Sequence, residues 1–147
     1  MDVRPFESAD EPAIVRLWAD CGLVVPWNDP ARDIRRKLAV QPELLLVGTE
    51  NGRIVATVMA GYDGHRGWIN YLAVHPDKRR RGIGARVMAE AERLLRDRGC
   101  AKINLQVRTS NREVIAFYER LGFKTDDIVS MGKRLESDDR RRADDRG

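Results

Sequence analysis

Apolar positions along this chain switch between two spacings, and the switches mark its elements. From Asp2 to Glu7 ("DVRPFE") apolar and polar residues alternate, which predicts a first strand. Ile14, Leu17, Trp18 and Cys21 then recur at helical intervals. Ser8 and Glu11 have capping-box spacing ahead of that helix, and Gly22 follows as a stop. After the loop "VVPWNDP", Asn28 or Asp29 can cap a second helix with Pro30 in its first turn, on a thin stripe of Ile34 and Leu38. Two apolar runs in "ELLLVGTENGRIVATVMAGY" flank Asn51-Gly52, the strongest short hairpin signal. A glycine-rich turn, "DGHRG", leads to the strand "WINYLAVH". The next helix, "ARVMAEAERLLRDRG", buries Val87, Met88, Ala91, Leu94 and Leu95 and ends at Gly99. "KINLQV" reads as a strand, "NREVIAFYERLG" as a short helix ended by Gly122, and "FKTDDIVSMGKRL" as closing strands. The order β-α-α-β-β-β-α-β-α-β-β mixes hairpins with crossovers. It predicts an α/β (α+β) chain with a mixed sheet, because a doubly wound sheet has no three successive hairpin-linked strands.

Composition adds bounds. A chain of 147 residues, 42% of them apolar, can fill one core. Residues 1–135 are expected to form one domain. Residues 136–147, charged and without an apolar anchor, are expected to be a mobile or loosely docked tail. No run of about 18 apolar residues is present, so no membrane span is expected. The opening "MDVRPFESADE" lacks the cationic head and apolar segment of a secretory signal, which favours the cytoplasm. Cys21 and Cys100 read as free thiols far from any metal-ligand spacing, and no metal site is expected. The net charge of +4 says little about partners, since 23 acids offset the cations.

The chemistry concentrates in "VHPDKRRRGIGARV". Lys78, Arg79, Arg80 and Arg81 run into Gly82-Ile83-Gly84. This can be a solvated charge run, a nucleic-acid patch or a cradle for a phosphate-bearing ligand. A strand, a glycine turn and a helix together favour the cradle: the first helical N–H groups lack intrahelical partners, and glycines let backbone approach a phosphate. A dinucleotide fingerprint would need a third glycine where Val87 stands, and no Gly-Lys-Ser/Thr triplet of a nucleotide P-loop exists. No aromatic residues interleave the cations and no recognition-helix motif accompanies them, so nucleic acid is not the expected partner.

On these residues the chain resembles a known family. "Arg79-Arg80-Arg81-Gly82-Ile83-Gly84" resembles the acetyl-CoA signature of the GNAT N-acetyltransferases, Arg/Gln-x-x-Gly-x-Gly/Ala. The run from Asn111 through Tyr118 to Gly122-Phe123 resembles their second signature, and "PWNDP" and "TVMAGYDGHRG" resemble the small bacterial YpeA-type subgroup. The resemblance spans roughly Val3 to Leu135. It implies the GNAT fold: a mixed, mostly antiparallel sheet of six to seven strands, splayed at its central strands and flanked by about four helices. It further implies acetyl-CoA as acetyl donor, direct transfer to an amine, and a dimer as a common state. The pantetheine arm would pair with backbone of Leu72, Ala73 and Val74, and the pyrophosphate would lie over Arg79, Arg80, Arg81, Gly82, Ile83, Gly84 and Ala85. A backbone N–H near Leu72 would face the thioester carbonyl. Asn111 would cap its helix and touch the coenzyme, and Tyr118 would protonate the leaving thiolate as general acid.

The base and the acceptor are less legible. Relatives often carry a Glu early in the strand with the thioester contacts, but Trp68 stands there, and no carboxylate lies between Gly64 and Pro76. Asp63, His65, Tyr71, Asp29 or a water chain remain as bases, His65 having the most suitable ordinary pKa. For the acceptor pocket the loops suggest Trp27, Asn28, Asp29, Tyr62, Asp63, His65 and Arg66, although Trp27 and Trp68 can be packing residues and Asp29 a cap. The acceptor is expected to be a small-molecule amine or a protein N-terminus. Ribosomal-protein N-terminal acetyltransferases share this size and both motifs. A non-catalytic acyl-CoA-binding or sensing module is the other alternative, motivated by the missing strand carboxylate.

Overall fold

Alternation along the second strand, β2 (Leu45–Glu50), sorts its side chains into two cores on opposite sides of a sheet. Leu46 faces one core, and Leu45 and Val47 face the other. The computed structural model describes residues 1–139. Its sheet also contains β1 (Asp2–Pro5), β3 (Arg53–Tyr62), β4 (Gly67–Val74) and β5 (Ile103–Leu105), in spatial order β1-β2-β3-β4-β5. Pairing is antiparallel from β1 to β4, and β4–β5 is parallel. Between β2 and β3, Asn51 (φ 50°) and Gly52 (φ 76°) both occupy the left-handed region that a tight hairpin turn demands.

The helices α1 (Glu11–Asp20) and α2 (Pro30–Val40) cover one face, burying Ile14, Leu17, Trp18 and Ile34. On the other face, α3 (Ile83–Asp97) contributes Ile83, Val87, Met88, Ala91 and Leu95, and α4 (Arg112–Arg120) contributes Tyr118. Each fully buried aliphatic side chain is worth about 1.5–3 kcal/mol. Both faces of the sheet are therefore covered, and the mixed, mostly antiparallel architecture matches the expected class.

Several expectations need correction. The turn before α1 is not fixed by Ser8 and Glu11. The carboxylate of Asp10 accepts the Glu7 N–H at 2.8 Å and two bonds from the Arg4 guanidinium at 2.8 and 3.0 Å. Arg4 comes from β1, so Asp10 ties strand to helix, and the guanidinium holds the Asp10 carboxyl below its ordinary pKa. Asp29, not Asn28, caps α2, accepting from Ala31 and Arg32 N–H. Leu38 is exposed, leaving Ile34 as the buried residue of the thin stripe. The sheet has five strands among the described residues, not six to seven. Residues 123–135 run beside β5 without joining it. Lys102 bonds Asp126 at 2.9 Å and Gln106 bonds Ser130, side chain to side chain, and no ladder pairing joins the segment to β5. Ile128, Val129, Met131 and Leu135 remain exposed. The splay falls between the strand of Ile69–Val74 and the one that follows Lys102, which are the last two of the five described strands.

The described part of the tail docks. Asp138 accepts from both Arg36 Nη atoms, at 2.5 and 2.9 Å, and from Arg32 Nη1 at 3.2 Å, and only 7% of its side chain is exposed. Arg32 and Arg36 lie one turn apart on α2, so both guanidiniums reach one carboxylate. The rest of the tail call, residues 140–147, lies outside the described residues. The Arg36 bond holds the Asp138 carboxyl down at about 2. A depressed carboxyl stabilises docking above its free pKa and loses that contribution as pH falls through the docked value. Docking is therefore expected to persist at pH 4–7 and to fail only near pH 2, with amide exchange at 136–139 as the readout. Release at pH 5 would contradict this contact.

Candidate active site

The site is built around an extra residue in β4. Thr57 pairs with Ala73 and Met59 with Asn70, so Tyr71 and Leu72 both stand opposite Val58. This is a β-bulge, and Tyr71 sits in the left-handed region at φ 49°, unusual for an aromatic residue. A single inserted residue reverses the facing of everything after it. Ile69 faces the α3 core; beyond the bulge Leu72 and Val74 do so, while Tyr71 and Ala73 face α1 and α2.

A buried polar network holds the strained residue. Trp18 Nε1 donates to Thr57 Oγ1 at 2.8 Å, and Thr57 donates to the Tyr71 carbonyl at 2.9 Å. The Tyr71 ring stacks on Trp18 at 3.9 Å, and its hydroxyl donates to Asp33 Oδ2 at 2.5 Å. Burial, then the Asp33 bond, push the Tyr71 phenol well above its ordinary pKa. Thr57→Val would leave the Trp18 indole N–H buried and unpaired, a loss of about 1–3 kcal/mol. Urea unfolding should show this as a lower midpoint at unchanged slope, whereas an unchanged midpoint would mean that the bulge stands without Thr57.

Parallel pairing between β4 and β5 covers Gly67 to Ile69 and stops there, although β4 continues to Val74. His75 N–H bonds Val55 of β3, so strand alternation turns the Val74 backbone groups away from β3, into the gap. In this structure the Val74 carbonyl accepts Arg79 Nε at 3.4 Å and Cys21 Sγ at 3.3 Å.

After β4, His75 accepts the Asp77 N–H on its own Nδ1, a turn-forming role. Arg80 has φ 67° and Gly82, which caps α3, has φ 76°. No side chain caps α3, so its first N–H groups point outward unclaimed. Arg79, Arg80, Arg81 and Gly82 are exposed, and among the described residues none of these three arginines forms an ion pair. Glycine at 84 serves another need. A Cβ there would lie 3.1 Å from the Phe117 ring, so Gly84 lets the start of α3 rest against α4. That contact brings the anion-attracting turn beside the helix carrying Tyr118. Ile83 is buried and Ala85 half-buried in the first turn of α3.

Asn111 caps α4 through the Val114 N–H at 3.4 Å. Tyr118 is packed edge-on between Phe117 and Phe123. Its hydroxyl bonds no protein group among the described residues, and burial raises its pKa to about 12. It borders a cavity of about 1080 Å³ between β5, α4 and residues 123–131.

A second cavity, of about 590 Å³, lies between α2 and the β3–β4 pair, and Tyr71 reaches it from the bulge. Of the residues expected there, Asn28 lines it; Trp27, Asp29, Tyr62, Asp63, His65 and Arg66 do not. Trp27 lies under Arg108, and Asp29 serves α2 as its cap. Tyr62 donates to the Gly64 carbonyl, and Arg66 donates to the His65 carbonyl. Asp63 is committed to its turn: it accepts Arg66 and His65 N–H at 2.7 and 2.8 Å and Trp68 Nε1 at 3.3 Å. These bonds, the Arg66 one foremost, lower its pKa and leave it ill-suited as a base. His65 is exposed in the same turn. The polar residues that line the cavity without a motif to mark them in the sequence are Asp33, Arg36, Lys37 and Asn70. Burial lowers the pKa of Lys37. The spacing of Asp33 and Arg36 on α2 was the available signal, but i,i+3 charges on a helix ordinarily read as a solvated face.

The comparisons agree with this arrangement. The model of the acetyltransferase (GNAT) family matches residues 12–123. A protein of Pectobacterium atrosepticum named an acetyltransferase is 50% identical over 138 residues, covering 94% of this chain and 98% of that protein. Ard1 of Thermoplasma volcanium superposes with a TM-score of 0.73 at 28% identity, covering 84% of this chain and 82% of that one. The ribosomal-protein-S18-alanine N-acetyltransferase of Escherichia coli does so with a TM-score of 0.70 at 28% identity, covering 84% and 77%. No helix among the described residues is long and apolar enough to cross a membrane. By family match, relatives and fold together, the chain belongs to the acetyltransferase (GNAT) family and is an acyltransferase.

Proposed function

We propose that residues 1–135 form one domain that transfers the acetyl group of acetyl-CoA directly to an amine. The observation that carries this is the open wedge: β4–β5 pairing ends at Ile69 and Leu105 while the bulge turns Leu72 and Val74 toward the gap, beside an uncapped helix start. The pantetheine amides would bond Leu72 and Val74 as an added strand does, with Ala73 holding the opposite edge to β3. This requires the Arg79 side chain to leave the Val74 carbonyl. The pyrophosphate would rest on the N–H groups of the turn, from Arg79 to Ala85, in the field of the three unpaired guanidiniums. A backbone N–H at Leu72 would stabilise the oxyanion, an effect typically worth a few kcal/mol. Asn111 would border the coenzyme from the start of α4.

Tyr118 would act as the acid. A phenol held near 12 keeps its proton at every working pH, so it cannot serve as a base and would act by hydrogen-bonding the departing sulfur as negative charge grows there. The amine would enter through the cavity between α2 and β3–β4. There the Asp33 carboxylate would attract an ammonium, whereas His65 lies outside the cavity lining. Cys21 and Cys100 stand outside both signatures, which favours direct transfer over an acetyl-enzyme. "PWNDP" and "TVMAGYDGHRG" support placement in the YpeA-type subgroup.

Similarity to the S18-alanine N-acetyltransferase supports a second reading, in which the acceptor is a protein N-terminus. A thiol-release screen against polyamines, amino acids, aminoglycosides and N-terminal peptides separates the two. Release with small amines supports the first reading, and release with peptides alone supports the second. Coenzyme binding without release for any amine would leave a binding module instead.

A further inference from the structure

The carboxylate of Asp138 marks a seat that the transfer reaction does not explain. Arg36 lines the acceptor cavity, yet its guanidinium is turned to a carboxylate from the chain's own tail. The same Nη1 that bonds Asp138 lies 3.4 Å from Asp33 Oδ1, and Asp33 also holds the Tyr71 hydroxyl. A carboxylate that can seat a cation and a guanidinium that seats a carboxylate thus line one cavity side by side, with Arg32 one turn before Arg36 on α2 adding a second bond to the same carboxylate.

Other described residues of this segment also reach α2 and the loop before it. Arg134 reaches Asn28 at 3.4 Å, and Glu136 lies 3.6 Å from Arg36. Both guanidiniums are about half exposed, at 54% for Arg32 and 48% for Arg36. A surface pair of this kind is exchangeable, because a ligand's carboxylate can make the same bidentate bonds without losing an ion from water.

We propose that Arg32 and Arg36 are a carboxylate-binding subsite of the acceptor pocket, filled by Asp138 in the free protein and taken over by an acceptor that carries a carboxylate beside its amine. A free α-amino acid fits both seats, its ammonium toward Asp33 and its carboxylate on Arg36. The cavity, about 590 Å³, is of the size that encloses small ligands. The inference rests on the reading that this cavity receives the amine. Asp138 then acts as a tethered competitor, present at an effective concentration on the order of millimolar.

The test compares the common amino acids with the amines left when each loses its carboxylate, using the full chain, Asp138→Asn and Arg36→Gln. The ratio of KM for the amine to KM for its parent amino acid is the readout from thiol release. In the wild type this ratio favours the amino acid. Arg36→Gln is expected to shrink it about tenfold or more, as loss of a charged hydrogen bond does. Asp138→Asn is expected to enlarge it several-fold. Hydrogen exchange at residues 136–139, measured without coenzyme, supplies a readout that needs no catalysis: amino acids accelerate it and the decarboxylated amines do not. Equal KM values for acids and amines, with exchange unmoved by any amino acid, would overturn the subsite. Accelerated exchange without coenzyme binding or thiol release would keep the subsite and defeat the transfer reading.

Discussion

Gly82→Glu is expected to abolish the thermal stabilisation that acetyl-CoA gives the wild type. At a coenzyme concentration of about 100 times Kd, binding adds about 2.7 kcal/mol to the folded state, roughly 5–10 °C in a chain of this size. The variant should show no shift. The fold itself should survive: a Cβ on Gly82 meets nothing within 4 Å, so the cost is limited to placing an L residue at φ 76°, about 1–2 kcal/mol. The loss of binding is electrostatic and steric. A carboxylate at the uncapped start of α3 would occupy the N–H groups that an anion needs and repel the pyrophosphate. Gly82→Ala separates the two effects, since it carries the backbone strain without the charge and should retain most of the shift. A coenzyme shift in Gly82→Glu equal to that of the wild type would remove this turn from the binding site.

Tyr118→Phe is expected to lower kcat by about 100-fold or more while leaving acetyl-CoA affinity and stability nearly unchanged. The reasoning is geometric. The ring is fixed by Phe117 and Phe123, and phenylalanine keeps those edge contacts. The hydroxyl has no protein partner among the described residues, so its removal strands no buried group. What is lost is a proton donor of pKa about 12 beside the site where a thiolate leaves. A thiol's ordinary value is about 8.5, so the phenol acts mainly through a hydrogen bond that strengthens as charge grows on sulfur. Stopped-flow measurement of thiol release under saturating coenzyme checks this. Unchanged turnover would rule Tyr118 out as the acid.

What the sequence made legible was what local chemistry dictates. Asn51-Gly52 demands a tight hairpin turn, and the spacing of Val87, Met88, Ala91, Leu94 and Leu95 a buried helix face; both are observed, with Leu94 only partly buried. What it hid depends on partners distant in the chain. Thr57 is one polar residue inside an apolar strand, and only the fold reveals that it joins Trp18 to the bulge at Tyr71. Nothing in "WINYLAVH" signals the bulge, because an inserted residue leaves composition unchanged while it reverses facing. The lining of the cavity here proposed for the acceptor was hidden for a related reason. The glycine-rich turn around Asp63 attracted attention as a loop, but its carboxylate is saturated by its own turn. Asp33 and Arg36 on α2 carry no motif in the sequence, and they line the cavity. The closing strands expected over residues 123–135 are absent among the described residues, where that segment touches the region of β5 through the Lys102–Asp126 and Gln106–Ser130 side-chain bonds.

The account rests on one claim above the others, that acetyl-CoA occupies the wedge between β4 and β5 with its pyrophosphate on the turn before α3. Calorimetric titration of the wild-type chain with acetyl-CoA tests it most directly. One site per chain is expected, with heat that disappears in Gly82→Glu and persists in Tyr118→Phe. Absence of any binding heat from the wild type across a range of temperatures would contradict the account at its base.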